Sequence, residues 1–184
     1  MKSVLLHACC AHCAAYTIDH WRREGYEVSL FWYNPNIHPY LEHQERLKAM
    51  RSLAAEKAVP LISHEGYDVI SYFRAVVENE SDRCRHCFRL RLSRTAAVAR
   101  EKGFAAFTTT LLISPHQKHD LVREEGETLV KAGGVEFLYA DLRKRYSDSR
   151  HITKPMDLYR QQYCGCIFSE WERYAGPEKK REPV

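Results

Sequence analysis

No stretch of the 184-residue chain approaches the ~20 consecutive apolar residues of a membrane-spanning helix, because charged residues interrupt every long segment. A soluble protein is therefore expected. The chain also has no glycine-rich phosphate loop, which argues against ATP use, and no internal repeat or low-complexity block. Charge of neither sign dominates: 28 Lys+Arg stand against 24 Asp+Glu, a net of +4, and 45% of residues are hydrophobic. This balance fits one compact globular domain over residues 1–175, and residues 176–184 read as a charged, flexible tail. The opening MKSVLLHAC is too short an apolar run for an export signal and is broken by His7, so it is expected to be a first strand. The compartment that follows is the reducing cytoplasm.

Cysteine, by contrast, is plentiful, at 7 residues. A chain of this length buries enough apolar surface to fold without staples, and in a reducing compartment thiols serve metals or redox chemistry.

Apolar runs and helical periodicities alternate along the chain. Strands are expected at 3–7, 28–33, 61–62, 105–112 and 137–139, and helices at 14–24, 40–57, 69–77, 88–101 and 120–132. Residues 84–87 read as a loop or the start of a helix, and the stretch from 140 to 171 as loop with a short helix. Strands separated by helices imply an α/β fold: a Rossmann-like, mostly parallel sheet flanked by helices, with ligands bound beyond the C-terminal ends of the strands. That rim collects Cys9, Cys10 and Cys13 after the first strand, Asn36 and His38 after the second, Ser114 and His116 after the Thr-rich strand, and Asp141 after the last.

The thiols form three groups. Cys9, Cys10 and Cys13 sit at a strand-to-helix junction, where a helix N-terminus favours the metal-binding thiolate. Cys84 and Cys87 are spaced so that both sulfurs can reach one ion or cluster. Cys164-Gly165-Cys166 has poor geometry for one metal and suits either a redox relay or two ordinary buried thiols. Ligand type leaves zinc and a [4Fe-4S] cluster open for the first two groups. Cys13 is left over, as a second metal ligand alongside Asp or His from the rim or as an unengaged thiol.

Arg83, Arg85, Arg89, Arg91 and Arg94 crowd the second thiol pair, while Arg143, Lys144, Arg145, Arg150, Lys154 and Arg160 precede the third. Two basic clusters beside one rim suit a phosphate-bearing substrate, with Tyr146, Tyr159 and Tyr163 available to stack on an RNA loop. Each cluster also suits a solvated helix face.

Taken together, LLHACCAHC, FWYNPNIHP, CRHCFRLRL, FTTTLLISPHQKHD and YRQQYCGCIFS resemble the QueH type of epoxyqueuosine reductase over residues 5–169. The resemblance implies reduction of the epoxide of epoxyqueuosine, at the wobble base of a tRNA anticodon loop, to the alkene of queuosine, the last step of that biosynthesis, with iron in place of cobalamin. It implies Cys9, Cys10, Cys84 and Cys87 as [4Fe-4S] ligands, Cys164 and Cys166 as a redox-active disulfide, an external electron donor and an adjacent mononuclear iron. Cys13, then Asp141, are expected at that second metal, and His38, His116 or Tyr163 as proton donor. Two other classes remain open on the residues: a zinc-stabilised RNA-binding module, which leaves Cys164 and Cys166 without a role, and a tRNA sulfur-transfer enzyme, which lacks a phosphate loop.

Overall fold

In the computed structural model, which describes residues 2–132 and 135–175, five strands pair side by side, all parallel. They are β1 (Lys2–His7), β2 (Tyr26–Trp32), β3 (Leu61–Ser63), β4 (Ala106–Thr109) and β5 (Glu136–Phe137), in the order β3-β2-β1-β4-β5. The register sets Leu5 beside Ser29 and Phe107, and His7 beside Phe31 and Thr109.

Side-chain alternation along the strands splits the core in two. On one face Val4, Leu6, Val28, Leu30 and Trp32 pack with α1 (Ala11–Arg23) and α2 (Tyr40–Glu56) through Ala14, Ile18, Trp21, Leu47, Met50 and Leu53. On the other, Leu5, Phe31 and Phe107 meet Phe88, Leu92 and Ala99 of α4 (Arg83–Glu101) and Val122 of α5 (His119–Lys131). Each fully buried Leu or Phe contributes about 1.5–3 kcal/mol, so burial on both faces explains why β1 reads as an unbroken apolar run. Three further helices, α3 (Val69–Val76), α6 (Tyr146–Thr153) and α7 (Ile167–Tyr174), lie beyond this frame.

Three expectations change. The Thr-rich strand stops at Thr109, because the Thr109 hydroxyl accepts the Leu111 N–H at 3.2 Å and turns residues 110–113 into a 3-10 helix. Of loop or helix start, residues 84–87 are the helix start, and the onset of α4 moves from residue 88 to Arg83, which puts Cys84 and Cys87 in its opening residues. The stretch from 140 to 171 holds α6 and the start of α7, more helix than expected. The expected tail at 176–184 falls outside the described residues. Among the described residues no helix is long and apolar enough to cross a membrane.

Candidate functional site

The strand order reverses between β1 and β4, and in such a sheet the crevice at the carboxyl ends of those two strands is where ligands bind. The residues at this point hold one another. His7, at the end of β1, sets Nδ1 2.9 Å from Thr109 Oγ1 of β4 and Nε2 3.3 Å from the Tyr33 carbonyl after β2. Burial, aided by the nearby Arg91 charge, pushes its pKa down to about 3, so it is a neutral clasp across three strands. Two residues on, the Cys9 amide donates to Thr110 Oγ1 at 3.4 Å and the Cys9 sulfur lies 3.6 Å from the same hydroxyl.

α1 starts immediately after Cys10, whose extended backbone serves as the N-cap. The Cys13 thiol and the amides of Cys13 and His12 point at the Cys10 sulfur, and Arg46 adds its charge, which together hold Cys10 below the usual thiol range against the effect of burial. Cys13, as the donor of that contact and itself buried, is raised well above it. Cys10 is the more acidic thiol of this pair.

Across the crevice, Cys84, Cys87 and Arg91 follow one face of α4 at spacings of three and four. Burial raises Cys84 and pushes Cys87 up to about 12. Arg91 is 1% exposed, its Nε donates to the Cys87 carbonyl at 3.3 Å, and its buried Nη2 finds no partner among the described residues. Among the described residues no carboxylate pairs with it; the groups that favour its charge are the thiols of Cys87, Cys9 and Cys164. A buried cation without a counterion is costly by several kcal/mol. Among the described residues no three metal-ligating side chains stand close enough together to hold a metal ion, so the structure does not bring Cys9, Cys10, Cys84 and Cys87 together as a formed ligand set. The uncompensated Arg91 charge nevertheless fits an anionic group in this crevice, and a metal-thiolate cluster is such a group.

The third thiol pair closes over this crevice. After burial, the nearness of Cys164 and Cys166 helps to raise the pKa of Cys84 and Cys87, and that of Cys164 the pKa of Cys9. All seven cysteines are free thiols. Cys164 is exposed, with the Gln117 amide nitrogen 3.3 Å from its sulfur. Cys166 is buried beneath, packs with Tyr72, Val76 and Cys87, and caps α7 by accepting the Ser169 N–H at 3.3 Å. The segment is pinned from below. Arg46 donates to the carbonyls of Cys164 at 2.9 Å and Tyr163 at 3.0 Å while pairing with Glu42 at 2.7 Å.

Of the expected proton donors, two are already engaged. The His38 amide donates to the Gly165 carbonyl at 2.8 Å and its Nδ1 accepts the Ile167 N–H at 3.2 Å, so the ring proton is on Nε2, 3.1 Å from the Pro35 carbonyl. The Tyr163 hydroxyl donates to the His38 carbonyl, and burial pushes its pKa up to about 12. Both are fasteners for the thiol segment. Among the described residues the His116 ring makes no hydrogen bond and stands edge-on to Tyr146 at 5.9 Å between centroids. Asp141 does not join Cys13: Arg143 grips both its oxygens at 2.9 and 2.6 Å, and His119 is its other neighbour.

Most of the first basic cluster is also spent internally. Arg85 and Arg89 bind the buried Glu125 of α5 at 3.0 and 2.8 Å, and Arg83 pairs with Glu172 at 2.5 Å. Reading these as a substrate-facing patch overlooked the acidic residues that fold back onto them. Arg46, Gln117 and Tyr72 carry no sequence signal, since none lies near a cysteine in sequence, and Thr110, which reads from sequence as part of a β-rich strand, holds Cys9. Arg91 carried a usable signal, its helical spacing from Cys84 and Cys87.

A family model described as epoxyqueuosine reductase QueH matches residues 4–172. An epoxyqueuosine reductase QueH of Dehalococcoides mccartyi is 57% identical over 174 residues, covering 95% of this chain and 96% of that protein. One from Thermotoga maritima is 34% identical over 182 residues, covering 94% and 93%. Two solved structures share the fold. A predicted subunit of tRNA methyltransferase from Methanocaldococcus jannaschii aligns with a TM-score of 0.57 at 13% identity, over 84% of this chain and 76% of that one. The U34-tRNA thiolase NcsA from Methanococcus maripaludis, solved with its [4Fe-4S] cluster, aligns with a TM-score of 0.55 at 10% identity, over 88% and 58%.

Proposed function

Since the chain belongs to the epoxyqueuosine reductase QueH family and is an oxidoreductase of queuosine biosynthesis, we propose that it reduces the epoxide on tRNA with a [4Fe-4S] cluster held by Cys9, Cys10, Cys84 and Cys87. The observation that carries the cluster is the buried Arg91, which has no carboxylate partner among the described residues and is set among thiols. Structural zinc in an RNA-binding module and sulfur transfer both yield to the family's reductase activity.

Opening an epoxide to an alkene takes two electrons and two protons and releases one water. When bound, the cluster supplies single electrons. The chain's residues do the rest. Arg91 balances charge in the crevice. Cys164 and Cys166, going from two thiols to one disulfide, release two electrons and two protons, the balance the reaction needs, and an external donor restores them. Cys164 at the surface suits exchange with that donor, while Cys166 lies against Cys87. His116, whose ring no fastening role consumes, is the proton donor we favour. Cys13, beside Cys10, stays as the ligand of an adjacent iron; Asp141 does not.

The test is metal and acid-labile sulfide analysis on protein purified without oxygen, with conversion of epoxyqueuosine in tRNA followed by nucleoside mass spectrometry. About four irons and four sulfides per chain are expected, and Cys84→Ala is expected to lose cluster and activity together. Zinc alone, or a Cys84→Ala variant active without a cluster, refutes the assignment.

A further inference from the structure

A cavity of about 530 Å³ opens beside the first thiol group, within the size range of nucleotide-sized ligand sites. One wall is His12, which precedes Cys13 in the first turn of α1; the opposite wall is α6 and the turn after it. Tyr146 and Arg150 lie on one face of α6 at a spacing of four, and Lys154 continues that face. Arg160 and Asp157 complete the mouth.

Two neighbouring cations of the same cluster are spent, and Lys144, which has no such partner among the described residues, does not line the cavity. Arg143 is taken by Asp141 and Arg145 by Asp148. Arg150, Lys154 and Arg160 are exposed, and among the described residues none has a carboxylate partner. At the inner end His12 places Nδ1 2.5 Å from Thr153 Oγ1, while its buried Nε2 has no partner in the described structure. No cysteine lines the cavity itself; His12, next to Cys13 in α1, and Tyr146, which lies near Cys13 and Cys10, are the walls that join it to the first thiol group.

We propose that this cavity is the seat of the substrate RNA's nucleotide, its phosphates on Arg150, Lys154 and Arg160 and its base against Tyr146 and His12. Two features separate a nucleotide from a bare anion. An aromatic wall next to cations is how proteins hold an unstacked base with its backbone. Asp157, a carboxylate in a cationic mouth, weakens binding of free phosphate but accepts hydrogen bonds from a base edge. The cavity thus orients the reacting nucleotide so that its modified end faces the thiols. This rests on the reductase reading only for which RNA is bound.

The test compares the parent protein with an Arg150→Glu/Lys154→Glu variant and a control, Arg100→Glu/Lys102→Glu, at the far end of α4 by the amino ends of the strands. Affinity for tRNA carrying epoxyqueuosine is measured by fluorescence anisotropy at several salt concentrations, with melting temperature and visible spectrum as checks on folding. We expect the cavity variant to bind at least about tenfold more weakly with a salt slope lower by about 1–2, and the control to bind like the parent. Inorganic phosphate at matched ionic strength is expected not to compete, whereas short single-stranded RNA does. Equal losses in both variants, or cavity-variant affinity within twofold of the parent, overturn the subsite. Parent protein that binds tRNA through this face yet leaves the epoxide intact supports the subsite and refutes the catalytic reading.

Discussion

Gly165 has φ +145°, a conformation that residues with a side chain rarely adopt, and it links the two thiols of the third pair. Replacing it by Ala brings about 1–3 kcal/mol of backbone strain. Crowding adds to that. The new Cβ would stand 3.1 Å from Ile37 Cγ1, 3.2 Å from Asn36 Nδ2 and 3.4 Å from Arg46 Nη1. None of the three can step aside: Ile37 and Asn36 are at most 1% exposed, and Arg46 is fixed by Glu42 and two carbonyls. A net penalty of about 2–3 kcal/mol follows, set against a segment held by some half-dozen hydrogen bonds at about 1 kcal/mol each.

The fold therefore survives and the segment opens more often. At 1.4 kcal/mol per factor of ten, the open fraction rises about 30- to 150-fold. The assay is alkylation of the reduced protein, followed peptide by peptide by mass spectrometry. Cys166, 9% exposed, is expected to label faster by that factor in Gly165→Ala, while Cys164, already exposed, serves as the internal control and changes little. A Cys166 rate within threefold of the parent would refute both the strain and the pinning by Arg46 and His38.

Arg91→Met replaces a buried, unpaired cation by an apolar chain of similar length, so the metal-free protein is expected to gain about 1–4 kcal/mol while iron is retained less well. Thermal melting of metal-free protein together with iron content checks this, and a metal-free variant that melts lower than the parent contradicts it. His43 is 4% exposed and accepts the Trp32 indole N–H at 3.0 Å; burial, then the Arg46 charge, pushes its pKa down to about 4. Its folded form stays neutral where the unfolded form binds a proton, so about 2–3 kcal/mol of stability is lost as pH falls from about 6.5 to about 4. Urea unfolding across that range should show the loss, and His43→Gln should flatten it; an unchanged slope in the variant assigns the effect elsewhere.

How far the sequence carried depended on the range over which each residue's partners lie. The alternation of apolar runs with helical periods is local, and it placed all five strands and the parallel sheet. Strand ends decided by one hydroxyl, such as Thr109 capping Leu111, were set by a contact that periodicity does not register. The thiols were legible because each group is compact in sequence and the topology brings the strand ends together. Their supports were not: Arg46 reaches residues 117 and 118 positions away, and Glu125 reaches back 36 and 40 positions to Arg89 and Arg85.

The same distinction explains which functional guesses changed. A histidine or tyrosine on the active rim reads as chemistry from sequence, because residue type is visible and hydrogen-bond occupancy is not. In the fold, His38 spends its backbone amide on Gly165 and its Nδ1 on Ile167, its Nε2 is taken by Pro35 of its own loop, and Tyr163 spends its hydroxyl on the His38 carbonyl, which together hold Cys164-Gly165-Cys166. A protein that must keep a thiol pair in place over a buried crevice needs such fasteners, and they come from the neighbouring rim loops. By that reasoning, His38→Ala should resemble Gly165→Ala, with faster labelling of Cys166, whereas His116→Ala should leave labelling unchanged and slow only the chemistry.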